Sequence, residues 1–395
     1  MFWLWFLAFP SFYFAHAAKS DAACETEKVA SAWFAGWHAN EGFDVNDIPW
    51  SKYTDTAPDV NVVSFNGSGS QDLLPRFVAA AHQNGVKAKV SVGGWTGSLY
   101  WSSNVAEENR TAWIKTLTDM VDVYDLDGLD FEYTECHTWE YPGTQGIGCN
   151  AISANDTQNF LTFLKELREH PIGANLTLSA AVYINPFTDQ DGVPSTNVTA
   201  FADYLDYVAI MNYDIWGSSS AGVGPNAPLN DSCTRPEHQM GSAVSAWTAA
   251  GFPSNQLLLG VAAYGHSFGV TKADAFSESS DTLALYAPVN SSVHPIGDSW
   301  DDTEVGVDVC GNVTTIGGVV NFWGLIEQGY LTENGDVVDG VPYVFDNCSQ
   351  TPFIYNTTTE VMFIADMGLA GFAMWEAGGD YHNILLDSIR GKLFA

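Results

Sequence analysis

The acidic side chains best placed to do chemistry lie together in Asp127-Gly128-Leu129-Asp130-Phe131-Glu132. Side chains alternate along a strand, so Asp130 and Glu132 share one face while Leu129 and Phe131 take the other. Two carboxylates stacked on one face of a protein interior raise each other's affinity for a proton, which is what a general acid working near neutral pH requires. In a chain of net charge −33, a solvated acidic turn is the competing reading of this segment alone.

A second motif, Gly265-His266-Ser267-Phe268-Gly269, matches the Gly-x-Ser-x-Gly turn of lipases and esterases. Ser267 would be the nucleophile, with Asp346 and His382 following in the expected order. That turn must lead directly into a helix, and Val270 onward has no apolar periodicity to build one, so a Ser267 esterase is a remote alternative. The nine His contain no His-Glu-x-x-His pattern, and Cys24, Cys136, Cys149, Cys233, Cys310 and Cys348 lack the close paired spacing of a structural zinc site. No metal and no cofactor are expected.

The elements that must position these groups read as eight strand-like runs with helix-like stretches between them. They are Ala32 to Gly36, Val60 to Phe65, Ala88 to Val92, Leu126 to Phe131, Leu176 to Val182, Tyr207 to Met211, Leu257 to Ala262 and Gly371 to Trp375. Eight βα units predict an α/β fold, the (β/α)8 TIM barrel, whose chemistry sits at the C-terminal ends of the strands. Leu73, Leu74, Phe77, Val78, Ala80 and Ala81 fall at helical spacing before Gly85, and Phe160, Phe163, Leu164 and Leu167 make one face of a helix over Asp156 to Leu167. From 267 to 353 the βα rhythm breaks, which predicts a small inserted α+β subdomain between strands seven and eight.

Residues 1–17 are almost wholly apolar, uncharged and end in Ala15-His16-Ala17, so they read as a signal peptide cut near Ala17, leaving 18–395 as the barrel. No later stretch is long and apolar enough to span a bilayer, so a secreted, extracellular chain without a membrane partner is expected. Ten Asn-x-Ser/Thr sequons agree with that route, and in an oxidising compartment the six Cys would form up to three disulfides. The negative charge repels phosphate backbones and excludes nucleic acid as a partner. Fourteen Trp exceed what a core of this size demands, and exposed aromatic rings suit sugar faces.

Taken together, the motifs resemble glycoside hydrolase family 18, the chitinases, in their secreted fungal form. The family's fourth strand reads Asp-Gly-x-Asp-x-Asp-x-Glu, commonly followed by Tyr-Pro. Ser91-Val92-Gly93-Gly94-Trp95 resembles its third-strand signature, Met211-Asn212-Tyr213-Asp214 its sixth, Leu259-Gly260 through Tyr264-Gly265 its seventh, and Gly371 through Trp375 its eighth. The resemblance covers nearly the whole mature chain. It implies a monomer acting on chitin or chitooligosaccharides, in which the substrate's own N-acetyl carbonyl is the nucleophile and the configuration is retained. It implies Glu140 as acid and later base, Glu132 holding the acetamido N–H, Asp130 tuning its neighbour's charge, Tyr213 bonding the acetamido carbonyl and Asp214 the sugar. Met211 and Trp375 would floor the site and Trp95 would wall its leaving-group side. Ordinary core packing competes for both Trp, and Ser91 to Gly94 is assigned only a structural role as a tight turn.

Strand four departs from the family pattern. Asp127 to Phe131 and Trp139-Glu140-Tyr141-Pro142 both fit, yet Glu132 stands in the Asp position and Tyr133 to Thr138 are six extra residues. Six extended residues at about 3.3 Å each would carry Glu140 roughly 20 Å along the strand. Glu140 therefore reaches the site only if the extra residues loop out; otherwise Thr134 takes the acid's place, and a misplaced splice boundary is a third explanation. Three functions stay open: a chitinase, a chitin-binding lectin that has lost its acid and, as a distant third, an effector or structural glycoprotein with no sugar affinity.

Overall fold

A computed structural model describes residues 28–58, 72–94, 96–132, 150–217, 220, 222–229, 242–276, 282–290, 292–293, 295, 297–301, 305–307, 310–313, 317–356, 361–365 and 372–393. Seven short strands follow one another from the N-terminal side: β1 (Ala30–Phe34), β2 (Asp55–Pro58), β3 (Lys87–Gly93), β4 (Gly128–Glu132), β5 (Thr177–Val182), β6 (Tyr207–Ile210) and β7 (Leu257–Ala262). The chain then leaves the barrel for β8 (Tyr264–Gly269), β9 (Val319–Asn321), β10 (Tyr343–Asp346), β11 (Thr351–Asn356) and β12 (Val361–Ala365), and returns as β13 (Phe372–Trp375). Strands β1 to β7 and β13 pair in parallel, and β13 bonds both β7 and β1, which closes an eight-stranded barrel.

The expected (β/α)8 barrel with an insertion after strand seven is thus the fold. Leu257 to Ala262 is reproduced residue for residue, and most other strands shift by one or two residues at their ends. The second position is held by Asp55–Pro58, which pairs with β1 and with β3; Val60 to Phe65 lies outside the described residues. The signal-peptide reading of residues 1–17 lies outside them as well.

Alternation along the barrel strands sorts side chains into two sets. Ala88, Val90, Leu129, Phe131, Leu178, Ala180, Val208 and Met374 point outward into the main apolar core under the helices, while Trp33, Ala181, Tyr207, Ala209, Leu258 and Ala373 cluster inside the barrel. The outer layer includes α1 (Leu73–Gln83), α2 (Trp101–Val105), α3 (Glu107–Tyr124) and α4 (Asp156–Glu169). Phe160, Phe163, Leu164 and Leu167 of α4 are wholly buried, as their spacing requires. After α1 the chain reverses at Gly85, whose φ of +70° suits a residue without Cβ. Buried Arg110 of α3 pairs with Glu166 of α4 at 3.0 Å and fixes the two helices side by side.

The second sheet is antiparallel in the order β10-β11-β12-β8-β9. It has its own apolar core, in which Phe268, Phe353 and Tyr355 pack with Trp216 and Val223 from the segment after β6. That shared core seats the sheet beside the mouth of the barrel. Among the described residues no helix is long and apolar enough to cross a membrane.

Candidate active site

A polar layer crosses the barrel interior on four neighbouring strands. Ser91, Asp130, Ser179 and Tyr207 are successive register partners on β3, β4, β5 and β6, and the first three are almost completely buried. Ser91 Oγ donates to Asp130 Oδ2 at 2.9 Å, Trp33 Nε1 to the same oxygen at 3.0 Å, and Ser179 Oγ to Oδ1 at 2.5 Å. Beneath them Lys89, also buried, donates from Nζ to Ser179 Oγ at 2.9 Å and to the Tyr207 hydroxyl. A charged lysine is thereby relayed to a carboxylate through one hydroxyl, which satisfies two groups that the apolar interior could not otherwise hold.

One layer nearer the mouth, Glu132 is flanked in register by Gly93 on β3 and Ala181 on β5. Gly93 has φ of +109° and a Cβ there would lie 2.4 Å from the Glu132 carbonyl oxygen, so only glycine fits. Gly94 N donates to that carbonyl at 2.9 Å, and a Cβ on Gly94 would stand 3.1 Å from Glu132 Oε2. The carboxylate of Glu132 therefore lies against the Gly94 turn.

Beyond β6 the chain carries Tyr213 and Asp214 across the mouth. Tyr213 is 6% exposed; burial and then the charges of Glu132, Asp214 and Asp130 push its hydroxyl well above the ordinary tyrosine range. The phenol therefore stays neutral around pH 7, able both to donate and to accept a hydrogen bond. Asp214 adopts φ of +56°, its N–H bonded to Asn226 Oδ1 at 2.8 Å. Its carboxylate meets His266 Nε2 at 2.6 Å and the Tyr264 hydroxyl, which burial and the Asp214 charge likewise hold well above its usual range. Trp375, at the end of β13, packs with Met211 and beside Tyr213 and Tyr264. Its ring centroid lies 6.1 Å from that of Trp33 and 6.3 Å from that of Trp37. A cis peptide follows Trp375, and the buried Glu376 accepts the Ala35 N–H at 2.7 Å.

The structure therefore brings Asp130, Glu132, Met211, Tyr213, Asp214 and Trp375 to one end of the barrel, while Glu140 and Trp95 lie outside the described residues. Ser91 keeps a structural role, but within strand β3 and not in a turn, where its hydroxyl holds Asp130. Sequence reasoning also passed over Trp33, Lys89, Ser179, Tyr264 and His266. Lys89 and Ser179 carried a legible signal, because polar residues at inward positions of barrel strands must find partners. The esterase reading is overturned. Ser267 sits within the antiparallel strand β8 instead of a strand-to-helix turn, and its buried hydroxyl donates to Gly318 O at 2.8 Å. Asp346 accepts from Tyr286 and Ser349, and the His382 ring packs on Tyr381. Among the described residues no cluster of His, Cys, Asp and Glu could hold a metal ion.

The family model described as Glycosyl hydrolases family 18 matches residues 16–380. The chain belongs to this family. Proteins named chitinase-like effector from Moniliophthora perniciosa and Moniliophthora roreri are each 46% identical over 388 residues, covering 92% of this chain and 86% and 92% of theirs. The crystal structure of a chitinase from Rhizomucor miehei superposes with a TM-score of 0.75 at 31% identity, covering 92% of this chain and 99% of that one. The likeness to family 18 thus runs along nearly the full length of the chain.

Proposed function

We propose that this family 18 protein is a secreted chitinase that hydrolyses β-1,4-linked N-acetylglucosamine polymers with retention, the substrate's acetamido oxygen attacking the anomeric carbon. The observation that carries the reading is the convergence of Asp130, Glu132, Tyr213 and Asp214 above the Trp375 floor. In this mechanism the protein protonates the leaving oxygen, orients the acetamido group and stabilises the positive charge that develops on the oxazolinium ring. Glu140 is the acid and later base. Glu132 accepts the acetamido N–H, Asp130 sets the charge behind it, neutral Tyr213 donates to the acetamido carbonyl, and Asp214 contacts the sugar. Trp375 supports the ring with Met211 beside it, and Trp95 walls the leaving-group side.

Export through the secretory route is part of the proposal. Asn109, Asn155, Asn175, Asn197, Asn312 and Asn347, all in sequons, are exposed, and Cys310 and Cys348 are disulfide-bonded. The inserted sheet of β8 to β12, which spans 264–365 where 267–353 is expected from the sequence, acts as a subdomain lining one wall of the groove, and the working form is a monomer.

A second reading is a chitin-binding effector with little turnover. It is favoured by Glu132 in the Asp position and by the 46% identity to proteins named chitinase-like effectors. Two assays separate the readings. Reducing ends released from chitopentaose but not from cellopentaose or deacetylated chitosan establish the first, because removing the acetamido group removes the nucleophile. Binding to insoluble chitin without release of reducing ends establishes the second, and no affinity for chitin defeats both.

A further inference from the structure

At the edge of the groove Trp37 is 42% exposed, in the turn that follows β1, and continues the aromatic line from Trp33 through Trp375. Its indole Nε1–H donates to His38 Nε2 at 2.9 Å. The other nitrogen of that imidazole, Nδ1, lies 2.7 Å from Glu41 Oε2. An indole can only donate and a carboxylate can only accept, so the two partners together define one tautomer: the proton sits on Nδ1 and Nε2 is the bare acceptor. Trp300 stacks on the ring at 4.0 Å and 12°, and its own Nε1 donates to Glu41 O at 3.2 Å, which holds the imidazole plane.

We propose that His38 is a positioning residue that fixes the Trp37 indole as the outer step of the sugar groove and releases it on protonation, so that long oligosaccharides bind more weakly in acid. Once Nε2 carries a proton it cannot accept from Trp37. Glu376 Oε1, 3.6 Å from Nε2, is the acceptor it then faces. The switch exchanges one partner for another without moving the backbone.

The charged groups around His38 come from three segments: Glu41 on its own turn, Glu376 after β13 and Asp298 ahead of β9. Burial lowers its proton affinity and outweighs the opposing pull of Glu41 and Asp298, which keeps the ring neutral at pH 7 and puts its titration below the ordinary histidine value. The inference rests on the proposed binding of chitooligosaccharides only for its effect on sugar.

The test uses the full chain labelled with 5-fluorotryptophan, with the Trp37 fluorine signal assigned by its loss in Trp37→Phe. Between about pH 8 and pH 4 that signal should shift with a single midpoint below the ordinary histidine value, and in His38→Gln, whose amide can still accept from the indole, the shift should vanish. In parallel, calorimetry should show chitohexaose affinity falling about five- to tenfold across the same midpoint while chitotriose changes less, with His38→Gln flattening the difference. A Trp37 signal that does not move, or one that still moves in His38→Gln, overturns the proposal. If chitohexaose binds at neither pH the proposed function fails, and the fluorine titration still decides the role of His38.

Discussion

Asp130 is 2% exposed and accepts hydrogen bonds from side chains of three other strands, β1, β3 and β5. Such a carboxylate is held by its surroundings far more than by its own strand, and each donor is replaceable only at a cost. Ser179 is the most informative to replace, because its hydroxyl both donates to Asp130 and accepts from Lys89. Ser179→Ala leaves a buried ammonium and a buried carboxylate each one partner short, which should cost about 1–3 kcal/mol. The expected result is a lower melting temperature, together with a fall in kcat at nearly constant KM, since the proposed mechanism has Asp130 set the charge behind Glu132 without touching the distal sugars. A Ser179→Ala protein with unchanged melting temperature and kcat would mean that the Lys89-Ser179-Asp130 relay does not support the site. Ser179→Thr keeps the hydroxyl, and recovery in that variant would separate the hydrogen bond from packing.

At the scale of the element, β4 carries both inward carboxylates, Asp130 and Glu132. Its alternation made the shared face of Asp130 and Glu132 legible in advance, and its outward Leu129 and Phe131 are indeed wholly buried in the core. The neighbours that shape the Glu132 position, Gly93 and Ala181, become visible only when strand register is known. Trp33 was illegible for a related reason: inside Ala-Ser-Ala-Trp-Phe it reads as apolar core, and its N–H acquires a partner only after barrel closure brings β1 to face β4. The β2 segment Asp55–Pro58 lacks the β-branched run that signals a strand, and pairing with β1 and β3 overrides that weak propensity. Replacing residues 132–138 by a single Asp restores Asp-Phe-Asp-Trp-Glu and should raise kcat/KM on chitooligosaccharides by about a hundredfold, the scale of loss attached to an ångström of misplacement. Glu140→Gln in that variant should abolish the gain and leave chitin affinity in place, because the aromatic groove is untouched. Equal or greater turnover by the unmodified chain would show that Tyr133 to Thr138 form a tolerated loop.

For the whole molecule the decisive property is closure. Strand β1 bonds β2 on one side and β13 on the other, so the first and last strands of the barrel depend on one another across more than three hundred residues of chain. A piece spanning residues 18–200 would contain β1 to β5 but not β6, β7 or β13. Both of its outer strands, β1 and β5, would then present unpaired N–H and C=O groups that the intact barrel satisfies. The polar layer would be opened as well, since Lys89 would lose the Tyr207 hydroxyl. Neither deficit can be made up inside the fragment, because the missing partners lie on strands supplied only by the second half of the chain. Limited proteolysis of the native protein should therefore yield no stable product of that span, and the same span expressed alone should show no cooperative transition in urea. A fragment of residues 18–200 that unfolds cooperatively would mean that the barrel is assembled from two independent halves, and that the groove forms at a joint between them instead of within one closed sheet.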